Sequence, residues 1–261
     1  MSELKHTGRL SSVFGQDEMF DQLPPADSPI YDSYLIQTLP DFLVQRAGAF
    51  ETYSKLFNSQ RIEGRWPDPV RLALFMNYMH MVNKLETGAY AEFGVGAGGS
   101  ATFIYNLMNE QNTLYLFDTF DGFVKEDVDI DNEMFDMDVP VNLLKGHHPD
   151  VLIERISGQE KKRDVEIVPV RGRIPESFEP HRDLRFRFVH VDMDLYQPTA
   201  DLLELVWDCV VPGGIMLFHD YGCKLFPGVA KAVDEFFNPK GITAVPLIDH
   251  TVSAIVIKPL N

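Results

Sequence analysis

Short apolar runs alternate with longer amphipathic stretches along most of the chain. Runs of strand length occupy residues 89–95, 113–117, 165–170, 186–191 and 215–218. Apolar positions at helical spacing mark residues 67–85 and 100–109, with Ser100 as the predicted N-cap of the second helix. Two further helices are predicted to open at Pro198 and Pro227. Strands that alternate with helices in this way predict a doubly wound, mostly parallel sheet with helices on both faces.

The last two apolar runs break this alternation. Residues 242–248 and 253–257 are separated by only four residues, too few for a helical crossover between parallel strands. They are therefore predicted to form an antiparallel hairpin, which completes a sheet of seven strands. This α/β architecture is more specific than a plain dinucleotide-binding fold.

The first 65 residues show no clear sheet pattern. They contain scattered aromatic residues, the sequence PPADSP and one helical stretch at residues 41–57. We interpret residues 1–65 as an N-terminal helical arm or lid and residues 66–261 as the main domain. The arm is expected to cover a pocket of that domain or to contact another subunit of a homo-oligomer.

Composition and charge narrow the class of partner. The chain has 261 residues, of which 45% are hydrophobic, so it is long enough and apolar enough to bury a substantial core. Its formal net charge of -16 argues against nucleic acid, because phosphate binding depends on clustered Lys and Arg. No apolar run approaches the ~20 residues of a membrane span, and the polar start lacks a secretory signal pattern. We expect a cytoplasmic protein with a small-molecule ligand and no membrane partner.

A glycine-rich turn follows the first predicted strand. Gly94, Gly96 and Gly99, in EFGVGAGGS, match the pattern G-x-G-x-x-G. Glycines at this position allow a tight turn and the close approach of a ligand to the backbone at a helix N-terminus. The pattern alone is a weak signal, because a structural turn or a nicotinamide or flavin site would also account for it.

Two acids beside the turn narrow the choice of ligand. Asp118 follows the second strand, in LFDTFDGF, where a carboxylate can bind ribose hydroxyls of a dinucleotide or of S-adenosylmethionine. Glu92 would repel a pyrophosphate but attract the ammonium group of a methionine moiety. The two acids together favour S-adenosylmethionine, and the alternative for Glu92 is a partly exposed acid at a strand end.

Four potential metal ligands follow the next two strands of the sheet. Asp192 and Asp194, in VHVDMDLY, come after the fourth strand, and His219 and Asp220, in MLFHDYG, come after the fifth. Because ligands of open α/β sheets collect at the carboxyl ends of the strands, we expect these side chains to converge. Mg²⁺ would offset their mutual repulsion. The alternative is a group of hydrogen-bonded loop acids without metal.

A cation at this position suggests a reaction. Coordination to a metal lowers the pKa of an alcohol as it does that of water. Asp194 could then take the proton while a bound sulfonium presents its methyl group in line. The sequence therefore predicts methyl transfer to a hydroxyl group, with Asp194 and Asp192 as the catalytic residues.

From about residue 90 to residue 257, the chain resembles the macrocin O-methyltransferase (TylF-type) family of S-adenosylmethionine-dependent enzymes. Five motifs carry the resemblance in order: EFGVGAGGS, LFDTFDGF, VHVDMDLYQPT, VPGGIMLFHDYG and GVAKAVDEFF. The resemblance implies a class I methyltransferase, Rossmann-like fold. It also implies Mg²⁺-assisted methylation of a sugar hydroxyl on a glycosylated natural product, in antibiotic biosynthesis.

The resemblance also implies roles for individual residues. The metal would be held by Asp192 and Asp220, with His219 standing where the family usually has a second aspartate. Imidazole is a softer ligand, better suited to Mn²⁺, Fe²⁺ or Zn²⁺ than to Mg²⁺. The predicted cofactor-binding residues are Glu92, Phe93, Gly94, Gly96, Ser100, Asp118, Thr119 and Asp192.

Two other functions share part of this pattern. A nicotinamide-dependent oxidoreductase would share the glycine turn and Asp118, but it leaves Glu92, the clustered acids and the terminal hairpin without a role. A non-catalytic protein that binds S-adenosylmethionine would keep the fold, and the departure at His219 leaves this alternative open.

Several charged and aromatic residues lie near the predicted site without a settled role. Eight acids occur between residues 121 and 138, as a solvated face or as a lid over the substrate. Arg171 and Arg173 could border the adenine or the acceptor, or carry surface charge. Tyr196 and Tyr221 could pack against a sugar ring or within the core.

Overall fold

The computed structural model describes residues 69–141, 148–158, 163–249 and 251–260. The chain divides into two compact units, Met1–Asn77 and Tyr78–Asn261. The predicted arm, residues 1–65, lies outside the described residues. Within the described ranges, no helix is long and apolar enough to cross a membrane.

The second unit contains a mixed sheet with the strand order β3-β2-β1-β4-β5-β7-β6. Strands β1 to β5 pair in parallel, whereas β7 runs antiparallel to both β5 and β6. The predicted parallel sheet that ends in an antiparallel hairpin is therefore confirmed. The strands are β1 Ala89–Phe93, β2 Asn112–Asp118, β3 Val165–Arg171, β4 Phe186–Val191, β5 Val210–Phe218, β6 Val245–Pro246 and β7 Ala254–Ile257.

Six α-helices lie in the described ranges. They are α1 Pro69–Val82, α2 Gly99–Leu107, α3 Lys125–Phe135, α4 Pro149–Ser157, α5 Tyr196–Val206 and α6 Pro227–Phe237. Helix α5 begins two residues before Pro198, which therefore sits in the first turn, where its missing N–H breaks no helical bond. The prediction of Ser100 as an N-cap is wrong, because α2 begins at Gly99 and its N-cap is Gly98.

Strand β6 is much shorter than the predicted residues 242–248. Only Val245 and Pro246 pair with β7. Proline has no backbone N–H to donate to the ladder, which restricts a strand that contains it to the edge of a sheet. The hydrophobicity of this segment therefore overstated the length of the strand.

The main core lies between the sheet and helices α5 and α6. Phe93 and Phe117, on neighbouring strands, stack with ring centroids 4.4 Å apart. Phe218 and Trp207 each meet the ring of Phe237 edge-on, which ties β5 and the end of α5 to α6. This packing fixes the relative positions of the strands whose carboxyl ends carry the predicted site.

Most of the acidic segment forms helix α3, and one side of this helix is buried. The segment is therefore not only a solvated face. Asp127 and Asp131, one turn apart on α3, are buried, with 2% and 1% of their surface exposed. Asp127 receives two hydrogen bonds from Arg173, and Asp131 accepts one from the backbone N–H of Tyr196, the first residue of α5. The sequence prediction missed α3, where a run of acids masks the helical period, and it also missed α4.

Candidate active site

The carboxyl ends of four strands are aligned at one edge of the sheet. Backbone hydrogen bonds continue one residue past the strands, from Gly94 N–H to Phe117 O (2.9 Å) and from Asp192 N–H to Phe93 O (2.8 Å). His219 N–H likewise donates to Val191 O at 2.9 Å. The glycine turn and the two polar segments therefore start from the same level of the sheet.

The glycine turn approaches the backbone of the neighbouring segment very closely. Gly94 has φ +80°, and a Cβ placed there would lie 2.6 Å from the carbonyl carbon of Asp192 and closer still to its oxygen. Gly96 has φ +49°, and no atom of the described residues lies within 4 Å of a Cβ placed there. Gly94 is thus required by the protein itself, whereas the space at Gly96 is available to a ligand.

Asp118 holds the glycine turn in place. Its Oδ2 accepts hydrogen bonds from the N–H groups of Val95 (2.6 Å) and Gly96 (3.2 Å), and its Oδ1 accepts one from Phe120 N–H at 2.7 Å. Asp118, which we predict to bind ribose, thus fixes the backbone of the turn, and its role toward ribose stays a prediction. A ligand at Gly96 would lie next to it.

Glu92 is fully buried and paired with a histidine. Its Oε1 lies 2.9 Å from Nδ1 of His190, and neither side chain is exposed to solvent. Burial raises the pKa of Glu92, and the hydrogen bond from His190 opposes that effect. Oε2 of Glu92 has no hydrogen-bond partner among the described residues. The alternative of a partly exposed strand-end acid is therefore wrong.

The four polar residues predicted to converge do so. Ligand atoms of Asp192, Asp194, His219 and Asp220 all lie within 4.8 Å of one another. Nδ1 of His219 stands between two carboxylates, 2.7 Å from Asp192 Oδ1 and 2.7 Å from Asp220 Oδ2. We call these four residues the acidic cluster.

Two residues of the acidic cluster adopt an uncommon backbone conformation. Asp194 has φ +63° and Asp220 has φ +58°, both in the left-handed region that aspartate tolerates better than most residues. Burial raises the pKa of Asp194 well above its usual range, and the charges of Asp192 and Asp220 raise it further. Three carboxyl groups at such short range create a strong demand for positive charge.

Other predicted cofactor residues have contacts of their own. The ring of Phe93 is in the core, and its backbone oxygen accepts the N–H of Asp192. Thr119 donates its hydroxyl hydrogen bond to Gly122 O at 2.6 Å. Ser100, in the first turn of α2, is close enough to Glu92 to lower the pKa of that carboxyl.

The two arginines and two tyrosines for which the sequence left alternatives open contact carboxylates of the protein itself. Arg171 pairs with Asp121 at 2.5 Å, and Arg173 binds Asp127 through two hydrogen bonds. The hydroxyl groups of both tyrosines donate to carboxylates of α6, Tyr196 to Glu235 at 2.8 Å and Tyr221 to Asp234 at 2.7 Å. Burial raises the pKa of Tyr221 to about 12, so it remains a donor at neutral pH.

Sequence reasoning did not single out His190 or Thr251. His190 lies directly opposite Glu92 in the register of β1 and β4, and Thr251 Oγ1 lies 3.2 Å from Nε2 of His219. A polar residue at the same depth in each of two buried strands could have indicated the first pair. Nothing in the sequence indicated the second, because it depends on how the terminal hairpin docks.

The side chains at this edge of the sheet fit both ligands that the sequence predicted, S-adenosylmethionine and a divalent cation. The buried carboxylate of Glu92, whose Oε2 has no hydrogen-bond partner among the described residues, suits a cationic group of a ligand. Three carboxylates and one imidazole suit a divalent cation, and the imidazole shifts the preference from Mg²⁺ toward Mn²⁺. The two sites adjoin each other, because Gly94 touches the backbone of Asp192.

Solved structures share this architecture. CalS11, a calicheamicin methyltransferase, is 21% identical with a TM-score of 0.59, covering 88% of this chain and 87% of its own. A second structure of CalS11, described as TDP-rhamnose 3'-O-methyltransferase, is 20% identical with a TM-score of 0.52, covering 88% of each chain. The O-methyltransferase NovP is 17% identical with a TM-score of 0.60, covering 89% of this chain and 100% of its own.

An O-methyltransferase from Bacillus cereus in complex with SAH is 13% identical with a TM-score of 0.51, covering 87% of this chain and 96% of its own. Comparison with curated protein sequences gave no match. At these identities the structural likeness establishes the fold, which is that of class I methyltransferases.

The fold and the family together define an S-adenosylmethionine-dependent O-methyltransferase. The model of the macrocin O-methyltransferase (TylF) family matches residues 70–256, well over half of the chain, and the protein belongs to this family. The oxidoreductase alternative is thereby excluded.

Proposed function

We propose that the protein uses a divalent cation to methylate a sugar hydroxyl of a glycosylated natural product, in antibiotic biosynthesis. The single observation that supports a metal is the acidic cluster, whose four potential ligand atoms lie within 4.8 Å of one another. The cluster lies beside the glycine turn. The family supports a glycoside acceptor, as does the fold shared with CalS11, which is described as acting on TDP-rhamnose.

The cofactor would lie along the glycine turn, where S-adenosylmethionine supplies the electrophilic methyl group. Glu92 would attract its ammonium group through the unused Oε2, with His190 holding the carboxylate in place. Asp118 would keep the turn in shape and accept ribose hydroxyls. Phe93, Ser100, Thr119 and Asp192 would complete this side of the pocket, with Gly94 and Gly96 giving the backbone room.

Asp192, His219 and Asp220 would hold the cation, Mg²⁺ or Mn²⁺. Bound there, the cation would supply positive charge that lowers the pKa of an acceptor hydroxyl. Asp194 is the proposed base, because its carboxyl group is buried within the same cluster, beside the residues that would hold the cation. Residues 1–65 are proposed as an arm or lid and residues 66–261 as the catalytic domain.

Calorimetric titration with S-adenosylmethionine, NAD and NADP, in the presence and absence of Mg²⁺ or Mn²⁺, tests the cofactor. Turnover on a panel of glycosides, measured with a chelator and with Asp192→Ala, tests the metal. Asp183→Ala, which changes an exposed loop aspartate, is the matched control. We expect S-adenosylmethionine to bind, and methyl transfer to be lost on chelation and in Asp192→Ala only.

Other results would redirect the proposal. Methyl transfer that survives both chelation and Asp192→Ala would remove the metal and leave the reaction class intact. Binding of S-adenosylmethionine without turnover on any glycoside would support the non-catalytic alternative.

A further inference from the structure

The loop between β6 and β7 lies beside the acidic cluster. In the antiparallel pairing of β5 with β7, Phe218 is opposite Ala254. His219 follows Phe218, and Ser253 precedes Ala254, so the end of the loop must pass next to His219. The terminal hairpin thereby brings a distant part of the sequence to the proposed metal site.

This loop is held in a defined shape. The buried carboxylate of Asp249 accepts hydrogen bonds from the N–H (2.6 Å) and the hydroxyl (2.5 Å) of Ser253. Val252 has φ +52°, a strained conformation for a β-branched residue, and its carbonyl accepts Gly222 N–H at 2.8 Å. The loop is therefore fixed at both ends and tied to the segment that carries His219 and Asp220.

Thr251 uses that position to contact His219. Its Oγ1 lies 3.2 Å from Nε2, on the far side of the imidazole ring from the two carboxylates at Nδ1. A hydroxyl group can donate or accept, so the contact is available to either tautomer of the ring. With both nitrogens engaged, the ring is held with Nδ1 toward Asp192 and Asp220. A flipped ring would present Cδ2 to the two carboxylates and Cε1 to Thr251, so it would lose both contacts.

We propose that Thr251 is a positioning residue for the metal site, which fixes the orientation of His219 and thereby sets the affinity for the cation. This inference rests on the proposed metal assistance. Partners of a metal-bound histidine orient its ring, and their removal typically weakens metal binding about 10–100-fold. Thr251 would exert this effect through its contact with His219.

Titration of the full-length protein with Mn²⁺ alone, followed by calorimetry and by the electron paramagnetic resonance signal of free Mn²⁺, tests this role. Thr251→Val keeps the shape of the side chain and removes the hydroxyl, and Thr251→Ser restores it. Thr243→Val, at an exposed threonine before β6, is the matched control. We expect Thr251→Val to weaken Mn²⁺ binding at least about tenfold, with Thr251→Ser and Thr243→Val within about twofold of the parent.

A second measurement separates this proposal from the metal proposal itself. The ring-nitrogen resonances of ¹⁵N-labelled histidine, assigned with His219→Asn, report the environment of His219 in the metal-free protein. We expect Thr251→Val to shift them and Thr251→Ser to leave them close to the parent. If the parent protein binds no Mn²⁺, metal assistance fails, and the resonances alone decide whether Thr251 positions the ring. Unchanged Mn²⁺ affinity in Thr251→Val, or unchanged resonances, would overturn the positioning role.

Discussion

Glu92 and His190 form a carboxylate–imidazole pair inside the sheet, with Oε1 and Nδ1 2.9 Å apart and both side chains shielded from solvent. They are direct neighbours in the register of β1 and β4. An isolated carboxylate would be costly at this depth, so the histidine makes the position tolerable. The second oxygen has no hydrogen-bond partner among the described residues, and we propose that a cationic ligand contacts it.

Glu92→Gln should weaken S-adenosylmethionine binding about 10–100-fold, because the variant keeps the shape of the side chain but loses the charge that we propose for binding the ammonium group. Calorimetric titration measures the affinity. Methylthioadenosine, which lacks the amino acid portion, is the control ligand and should bind both proteins equally. An equal loss for both ligands would mean that Glu92 supports the pocket as a whole.

Gly94→Ala should destabilise the protein by about 3–5 kcal/mol, because a methyl group there would collide with the backbone of Asp192. Gly241→Ala is the matched control, since Gly241 also has positive φ (+69°) but has open space around it. That variant should cost only about 1–2 kcal/mol, the strain of the left-handed conformation. Denaturant unfolding measures both, and equal effects would contradict the close approach.

Arg173→Met should destabilise the protein by about 2–4 kcal/mol, because it leaves the carboxylate of Asp127, 3% exposed, without its partner. Arg171→Met provides a comparison two residues earlier in the chain. The side chains of Arg171 and Asp121 are 53% and 69% exposed, so the loss of this pair should cost less than about 1 kcal/mol. Free energies of unfolding for the two variants should therefore differ clearly.

Asp131 should make stability fall as the pH rises. Burial raises the pKa of this carboxyl to about 6 from its ordinary value of 3.8. The folded state therefore holds the proton more tightly, and stability present below pH 3.8 is lost as the pH rises through 6. The contribution of Asp131 to the free energy of unfolding falls by about 3 kcal/mol in total, and roughly half of this loss occurs between pH 5 and pH 8.

Asp131→Asn should remove this part of the pH dependence, because the amide oxygen can still accept the N–H of Tyr196 and nothing titrates. Unfolding by denaturant at pH 5 and pH 8 measures the slope. Asp129→Asn, on the same helix with a 57% exposed side chain, should retain the parent slope. If the stability of Asp131→Asn changed with pH as much as that of the parent protein, other groups would be responsible for the pH dependence.

Hydrophobic periodicity was sufficient to predict the sheet and its terminal hairpin, because buried strands must be apolar and four residues cannot form a parallel crossover. It failed at α3, where the buried positions Asp127 and Asp131 are themselves acids. Their burial is possible only because Arg173 and the first turn of α5 lie opposite them. Those partners come from distant parts of the chain, so local pattern could not reveal them.

The sequence by itself determined that the polar residues of the candidate site lie at the carboxyl ends of the strands. Glu92, Asp118, Asp192 and His219 each stand at or just past a strand end, and the carboxyl ends of parallel strands meet at one edge. Only the tertiary structure decided which side chains touch. Strand register set Glu92 against His190, and docking of the terminal hairpin set Thr251 against His219. Contacts of this kind depend on register and packing across more than thirty residues of chain, which no local sequence pattern records.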